Sequence, residues 1–233
     1  MPKYKNIEVK PIINASLQAA LFSTQDVVFD WTEVPLPVNG PCRVISVSVI
    51  NRDHAAAKAA DVALELFFSK SNDFTLGTIN STASMVPNDD LIGVTSIVTG
   101  DYDAGLDFVS IASANPDALV GLILEPKSTE RSIYVAGLTR TGNEPDLRSS
   151  FLVDGAHTDT SATLTVKGVD AREIIAPGDV LHAEDDAVIG KVESVDSATQ
   201  ITLQNSLITP QALADEDKIH ILQPIKLMIG VEY

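Results

Sequence analysis

Alternating hydrophobic and polar residues predict β-strands along most of this chain. In the segment 43–51, Ile45, Val47 and Val49 share one face, with serines on the other. The segment 61–70 alternates in the same way. Shorter apolar runs, separated by Gly, Pro, Asn and Asp, predict further strands at 26–31, 92–98, 108–112, 119–124 and 133–138. Short strands without long amphipathic helices predict an all-β protein, built as a sandwich or barrel.

A second group of short strands follows residues 141–146, where turn-forming and charged residues mark a domain boundary. The strands of this group are predicted at 162–169, 175–181, 187–195, 199–203 and 218–222. Five short strands with tight turns fit a small SH3-like or OB-like β-barrel. We therefore expect a barrel domain that spans residues 150–222.

The last residues, 224–233, have the pattern of one more strand, which this barrel does not need. We expect this strand to pair with the N-terminal region, which makes the barrel an insertion. The predicted fold is thus a jelly-roll-like β-sandwich of residues 1–145 and 223–233, interrupted by the inserted barrel. If Leu227 and Ile229 paired within 150–222 instead, the insertion would be excluded.

Composition limits the possible partners. The chain has 233 residues, of which 45% are hydrophobic, enough for one large or two smaller β-domains. Sixteen basic residues face 32 acidic ones, and the resulting charge of −16 opposes binding to nucleic acid or to an anionic membrane. A partner is expected to be neutral or basic.

Cys42 is the single cysteine, so no intramolecular disulfide can form, and no secretory or membrane-spanning pattern is present. We expect folding in a reducing cytoplasm.

The sequence contains no catalytic or phosphate-binding motif, and its four histidines lack metal-motif spacing. His220 alternates with Ile219 and Ile221, which predicts a strand residue that faces solvent. A glycosidase would need a pair of carboxylates and aromatic platforms, and aromatic residues are only 5% of the chain. Trp31 is better interpreted as a core or interface residue. We expect neither enzymatic activity nor a cofactor.

The nearest candidate for a metal site is the segment 101–107, in which Asp101, Asp103 and Asp107 can supply oxygen ligands to Ca²⁺. An EF-hand loop would need a bidentate glutamate where Ala112 stands. We favour an acidic turn between strands, since Asp and Gly are common in turns for their backbone preferences.

Several short segments in order resemble a pattern found in small virion proteins of tailed bacteriophages. The segments are 64–71, 76–80, 90–94, 120–124 and 132–136. In that pattern a strand like 227–231 soon follows the one like 132–136, whereas here residues 137–226 intervene. The intervening block, through 177–181 and 189–195, is similar to accessory β-barrels of phage head and tail proteins.

This resemblance implies a structural, non-enzymatic virion protein, assembled in the host cytoplasm. It most closely implies a capsid decoration (cement) protein that binds the outer surface of the major capsid protein lattice and stabilises the head. A homo-oligomer is expected, and a trimer would suit local three-fold positions. A tail or baseplate component, and a carbohydrate- or receptor-binding module of the virion, are the alternatives.

The N-terminal segment 2–21 is a candidate arm that becomes ordered on docking, since termini often do. Its apolar residues Pro11, Ile12 and Ile13, together with Trp31, are the candidate partner contacts.

Overall fold

The computed structural model describes residues 1–18, 22–52, 62–84, 89–102, 109–127, 130–140, 147, 150–158, 160–205 and 212–233. Antiparallel β-strands dominate this part of the chain, and the prediction of an all-β protein is confirmed. The two α-helices found there, α1 (Ala15–Gln18) and α2 (Ala171–Ile174), have one turn each. No helix within the described ranges has the length and apolar character needed to cross a membrane.

The strands are β1 (Tyr4–Val9), β2 (Val27–Pro35), β3 (Cys42–Arg52), β4 (Leu64–Ser69), β5 (Leu91–Ile97), β6 (Val109–Ser113), β7 (Ile123–Leu124), β8 (Ser132–Thr139), β9 (Ser150–Val153), β10 (Thr163–Lys167), β11 (Val180–Ala183), β12 (Val188–Ser197), β13 (Gln200–Leu203), β14 (Lys218–Ile221) and β15 (Ile225–Glu232). Two short 3₁₀ turns lie at Thr99–Asp101 and Pro116–Leu119.

Two sheets enclose the larger core. The first sheet has the order β1-β15-β3-β6, with β7 also paired to β3, and the second has the order β2-β8-β4-β5. Burial alternates along parts of β3, β4 and β15, as expected for strands of a sandwich. The buried core between the sheets includes Ile7, Val9, Phe29, Val47, Val49, Leu64, Leu66, Phe68, Val135, Leu227 and Ile229.

The last strand closes the first sheet. Leu227 lies opposite Val9 on one side and Val49 on the other, in antiparallel register with β1 and β3. Ile229 pairs with the same two strands. The last strand therefore pairs with strands of the N-terminal region and not with residues 150–222. Strand β8, which precedes the barrel, lies in the other sheet.

Between β8 and β15 the chain forms a closed ring of six strands in the order β10-β13-β12-β11-β14-β9. This ring has its own core, which includes Phe151, Val153, Leu164, Val166, Ile201 and Ile219. The sequence predicted five strands and missed β9, which follows the boundary segment closely. The SH3-like or OB-like type of the barrel, the jelly-roll character of the sandwich and the domain boundaries stay predictions.

The predicted solvent exposure of His220 is wrong. The side chain is only 4% exposed, and its neighbours Ile219 and Ile221 are buried as well. The N-terminal segment reaches this part of the ring, where the Gln18 side-chain amide donates to the Ile221 carbonyl at 2.8 Å. Three consecutive residues of β14 are buried, so both faces of this strand are covered.

Candidate functional site

A β-bulge interrupts β2. Between the paired positions Phe29 and Thr32, β2 has two residues, Asp30 and Trp31, where the partner strand β8 has only Ala136. The backbone N–H of Trp31 donates to the Asp30 carboxylate at 2.8 Å, and the Thr32 hydroxyl donates to the Asp30 carbonyl at 3.0 Å. Bulges bend a strand and redirect its side chains. This bulge sets the direction of the Trp31 side chain.

The bulge forms one wall of a pocket with a volume of ≈ 350 Å³, which we call the Trp31 pocket. The pocket is lined by Lys10, Ile12, Asp30, Trp31, Thr32, Glu33 and Ile79. It lies at one edge of the sandwich, because β1 and β2 are the terminal strands of their sheets and lie against each other. Terminal strands are common sites of pairing with another chain.

The Trp31 ring is held by packing. It meets the ring of Phe74 edge-on, with centroids 5.0 Å apart and planes at 63°. Its indole N–H is buried and has no hydrogen-bond acceptor among the described residues. The ring nevertheless remains partly exposed to the pocket.

The pocket has an excess of negative charge. Two carboxylates line it, and within the described residues Asp30 and Glu33 accept hydrogen bonds but form no ion pair. The Lys10 ammonium lies 3.0 Å from Glu8, which Lys226 also approaches at 3.4 Å. The hydrogen bond from Lys10 is the main cause that lowers the pKa of Glu8. The positive charge of Lys10 is thus shared with Glu8.

A tyrosine on the neighbouring strand lies close to one of these carboxylates. Tyr134 lies opposite Glu33 on β8. Burial raises the pKa of Tyr134, and the carboxylates of Glu130, Glu33 and Asp73 raise it further. Tyr134 therefore lies near some of the same carboxylates as the pocket.

The structure brings together two of the four predicted partner contacts. Ile12, which is 57% exposed, and Trp31 line the same pocket. Pro11 and Ile13 are buried, and the Ile13 N–H donates to the Leu222 carbonyl at 2.8 Å. Those two residues therefore anchor the segment to the fold, and their role as partner contacts stays a prediction.

Sequence reasoning missed the acidic residues of the site. Asp30 interrupts the apolar run of β2, and Glu33 alternates with Trp31 along the strand. Both signals were present in the sequence. A carboxylate on the exposed face of a strand is so common, however, that only the bulge gives these two a shared direction.

The predicted calcium ligands are not assembled in the described part of the chain. Asp101 ends a 3₁₀ turn, where its carboxylate accepts a hydrogen bond from the Val98 N–H at 2.9 Å. Asp103 and Asp107 lie outside the described residues. Among the residues that are described, no three His, Cys, Asp or Glu side chains form a group able to hold a metal ion.

A second pocket, of ≈ 310 Å³, lies where the barrel meets the sandwich. Here the Arg52 guanidinium makes two hydrogen bonds to the Asp179 carboxylate, at 2.8 and 3.2 Å. Asp179 also accepts from the Ala176 N–H at 2.8 Å. These groups satisfy one another, so this pocket is best understood as a structural junction.

The sequence matches no protein-family model and no curated protein.

Proposed function

We propose that this chain is a non-enzymatic structural protein of a tailed-phage virion. It decorates the capsid by binding the outer surface of the major capsid protein lattice, and so stabilises the head. The observation that carries the proposal is the Trp31 pocket, where the predicted contacts Ile12 and Trp31 meet at an edge of the sandwich. The resemblance of the strand segments to small virion proteins gives the class of partner.

The physical properties of the chain suit this task. A decoration protein needs an extended contact surface, of about 1,000 Å² or more for a specific interface, and no active site. A sandwich edge supplies backbone hydrogen-bonding groups as well as side chains. The charge of −16 favours a basic or neutral partner. Assembly takes place in the host cytoplasm, and a homo-oligomer such as a trimer would multiply weak contacts on a symmetric lattice.

The number of copies in each particle tests this function. Quantitative mass spectrometry of purified virions is expected to show this chain in a fixed ratio to the major capsid protein, and labelling should place it over the whole head. A few copies at one vertex would overturn decoration and favour a tail or baseplate component. Complete absence from purified particles would overturn the virion assignment.

A carbohydrate- or receptor-binding module is the second candidate. It is favoured by the partly exposed Trp31 ring, which lies in one pocket with the carboxylates of Asp30 and Glu33. An aromatic face beside hydrogen-bond acceptors can hold a sugar ring. Titration with host-surface oligosaccharides, followed by tryptophan fluorescence, distinguishes this candidate, because decoration predicts no saturable change.

A further inference from the structure

We propose that the Trp31 pocket binds an arginine side chain presented by a protein partner. This inference rests on the proposed function, since the partner would be another protein of the virion. It adds the chemistry by which that partner is recognised.

Charge is the first argument. The carboxylates of Asp30 and Glu33 line the pocket without a cation partner among the described residues, and the charge of Lys10 is shared with Glu8. A positively charged side chain would supply the missing counter-ion. Hydrogen bonds between a guanidinium and carboxylates are short and about twice as strong as neutral ones.

The apolar walls are the second argument. Ile12 and Ile79 flank the pocket beside the Trp31 ring. A long cationic side chain buries its methylene groups on such a surface while its charged end reaches polar groups. Tryptophan is the strongest aromatic partner for a cation.

Arginine fits these walls better than lysine. Its planar guanidinium stacks on an aromatic face, is weakly hydrated and offers several N–H donors to Asp30 and Glu33 together. A lysine ammonium is a compact, strongly hydrated charge that loses more solvation in a half-apolar pocket.

The size and position of the pocket also favour a side chain. Its volume of ≈ 350 Å³ is near the lower end of the range for small-molecule sites, roughly 300–1,000 Å³. It opens at the sandwich edge formed by β1 and β2, where an extended partner segment can lie along a terminal strand. One inserted side chain would fix the register of such a segment.

The single tryptophan of the chain makes the test specific to this site. Trp31 fluorescence is followed while the full chain is titrated with a capped Gly-Arg-Gly peptide. We expect a saturable change, and binding at least about tenfold weaker when neutral citrulline replaces arginine. The Lys peptide is expected to bind more weakly than the Arg peptide.

Variants locate the binding. The double variant D30N/E33Q keeps an oxygen acceptor at each position but removes both charges, and it should abolish saturable binding. The control E173Q/E193Q removes two exposed charges from the barrel and should bind like the unmodified chain. Ile12→Ser, at an exposed position, should weaken binding without unfolding the protein, which far-UV circular dichroism checks.

Several outcomes would overturn the inference. They are equal responses to the arginine and citrulline peptides, binding that persists in D30N/E33Q, an equal loss in E173Q/E193Q, or a response to oligosaccharides alone. Particle assembly separates this inference from the proposed function. If D30N/E33Q enters virions as well as the unmodified chain does, the arginine site is wrong while decoration stands. If the unmodified chain is missing from virions, decoration itself is wrong.

Discussion

At the scale of single residues, the environment of the His220 side chain is unfavourable for a polar group. It is buried, and neither ring nitrogen has a hydrogen-bond partner among the described residues. Burial lowers the pKa of His220, and the charges of Lys218 and His182 lower it further, whereas Glu184 and Asp186 act in the opposite direction. The neutral imidazole is therefore the form that the folded barrel accommodates.

This burial has a consequence for stability. The pKa of His220 is lower in the folded chain than its ordinary value of 6.5. The unfolded chain therefore binds the proton more readily, and the free energy of unfolding falls as the pH drops below about 6.5. Above that pH this contribution to stability is fully present.

Replacing His220 with leucine should remove both the unpaired ring nitrogens and the dependence of stability on protonation of this residue. A buried polar group without a partner costs roughly 1–3 kcal/mol, so H220L is expected to raise the free energy of unfolding at pH 7.5 by an amount near the lower end of that range. It should also reduce the loss of stability between pH 7.5 and pH 5. Urea unfolding of both proteins at the two pH values measures this. A variant that is less stable at both, with an unchanged pH dependence, would contradict the burial argument.

Gly137 is required by the packing beneath the bulge of β2. A Cβ atom at this position would lie only 2.4 Å from Cε1 of Phe29, which is buried in the core. Overpacking of this kind costs about 1–3 kcal/mol. We therefore expect G137A to lower the free energy of unfolding in urea by that amount. The control G40A, where no atom lies within 4 Å of the added Cβ, should change it little. Equal effects of the two substitutions would show that Phe29 adjusts without cost.

At the scale of elements, β1 is an integral strand of the first sheet. Its residues Ile7 and Val9 are buried in the core, and it pairs with β15 along its whole length. The sequence suggested an arm that becomes ordered only on docking. Pairing with a strand from the far end of the chain instead fixes this segment in the free protein.

Hydrogen exchange distinguishes the two interpretations. In the isolated chain, amides of residues 4–9 that bond to β15 should exchange at least about a hundredfold more slowly than those of the exposed loop 72–75, because exchange requires β1 to open. Mass spectrometry of peptic fragments measures both segments in one experiment. If residues 4–9 exchanged as fast as the loop, the segment would be a disordered arm in the isolated chain.

The sequence predicted those elements whose pattern is both long and regular. It placed a strand at 43–51, where β3 runs from Cys42 to Arg52, and it recognised that the last strand lies apart from the barrel. It missed β9, which is short and comes directly after the turn-forming and charged residues that mark the boundary, so that its pattern has no separate start. Local patterns cannot reveal pairing between distant segments, which is what orders β1.

Only part of the candidate site could be predicted from the sequence. Ile12 was predicted as part of an apolar run near the N-terminus, and Trp31 as a core or interface residue. Their meeting in one pocket depends on β1 and β2 being terminal strands that lie together, which no local pattern shows. The exposure of His220 was wrongly predicted because both faces of β14 are buried, which alternation along one strand cannot show.

At the scale of the whole molecule, polar contacts join the barrel to the sandwich at several places among the described residues, and two of them involve a carboxylate of the barrel. One is the pair of hydrogen bonds between Arg52 of β3 and Asp179 beside β11. The other is the turn at Asp186, whose carboxylate accepts from the Ala15 N–H at 2.8 Å and the Asn14 side chain at 2.7 Å. Two separate attachments hold the barrel in a fixed orientation better than one, because a single contact leaves rotation free.

The Arg52–Asp179 pair is expected to be the stronger attachment. Its side chains are 17% and 9% exposed, so water screens their interaction poorly. R52M leaves a nearly buried carboxylate without its cation, which should cost roughly 1–3 kcal/mol of unfolding free energy. D179N should cost a similar amount. The double variant should cost clearly less than the sum, because the second change removes the group that the first left unpaired.

An exposed ion pair supplies the control for this cycle. Lys218 and Glu184 lie 2.9 Å apart but are 51% and 65% exposed, and such pairs contribute about 0–1 kcal/mol. K218M and E184Q should therefore each change the urea midpoint little, and their effects should nearly add. If R52M costs no more than K218M, or if the effects of R52M and D179N simply add, the ion pair does not fix the junction. The contacts at Asp186 and Gln18 would then hold the barrel against the sandwich, and D186N would be expected to lower the free energy of unfolding more than R52M does.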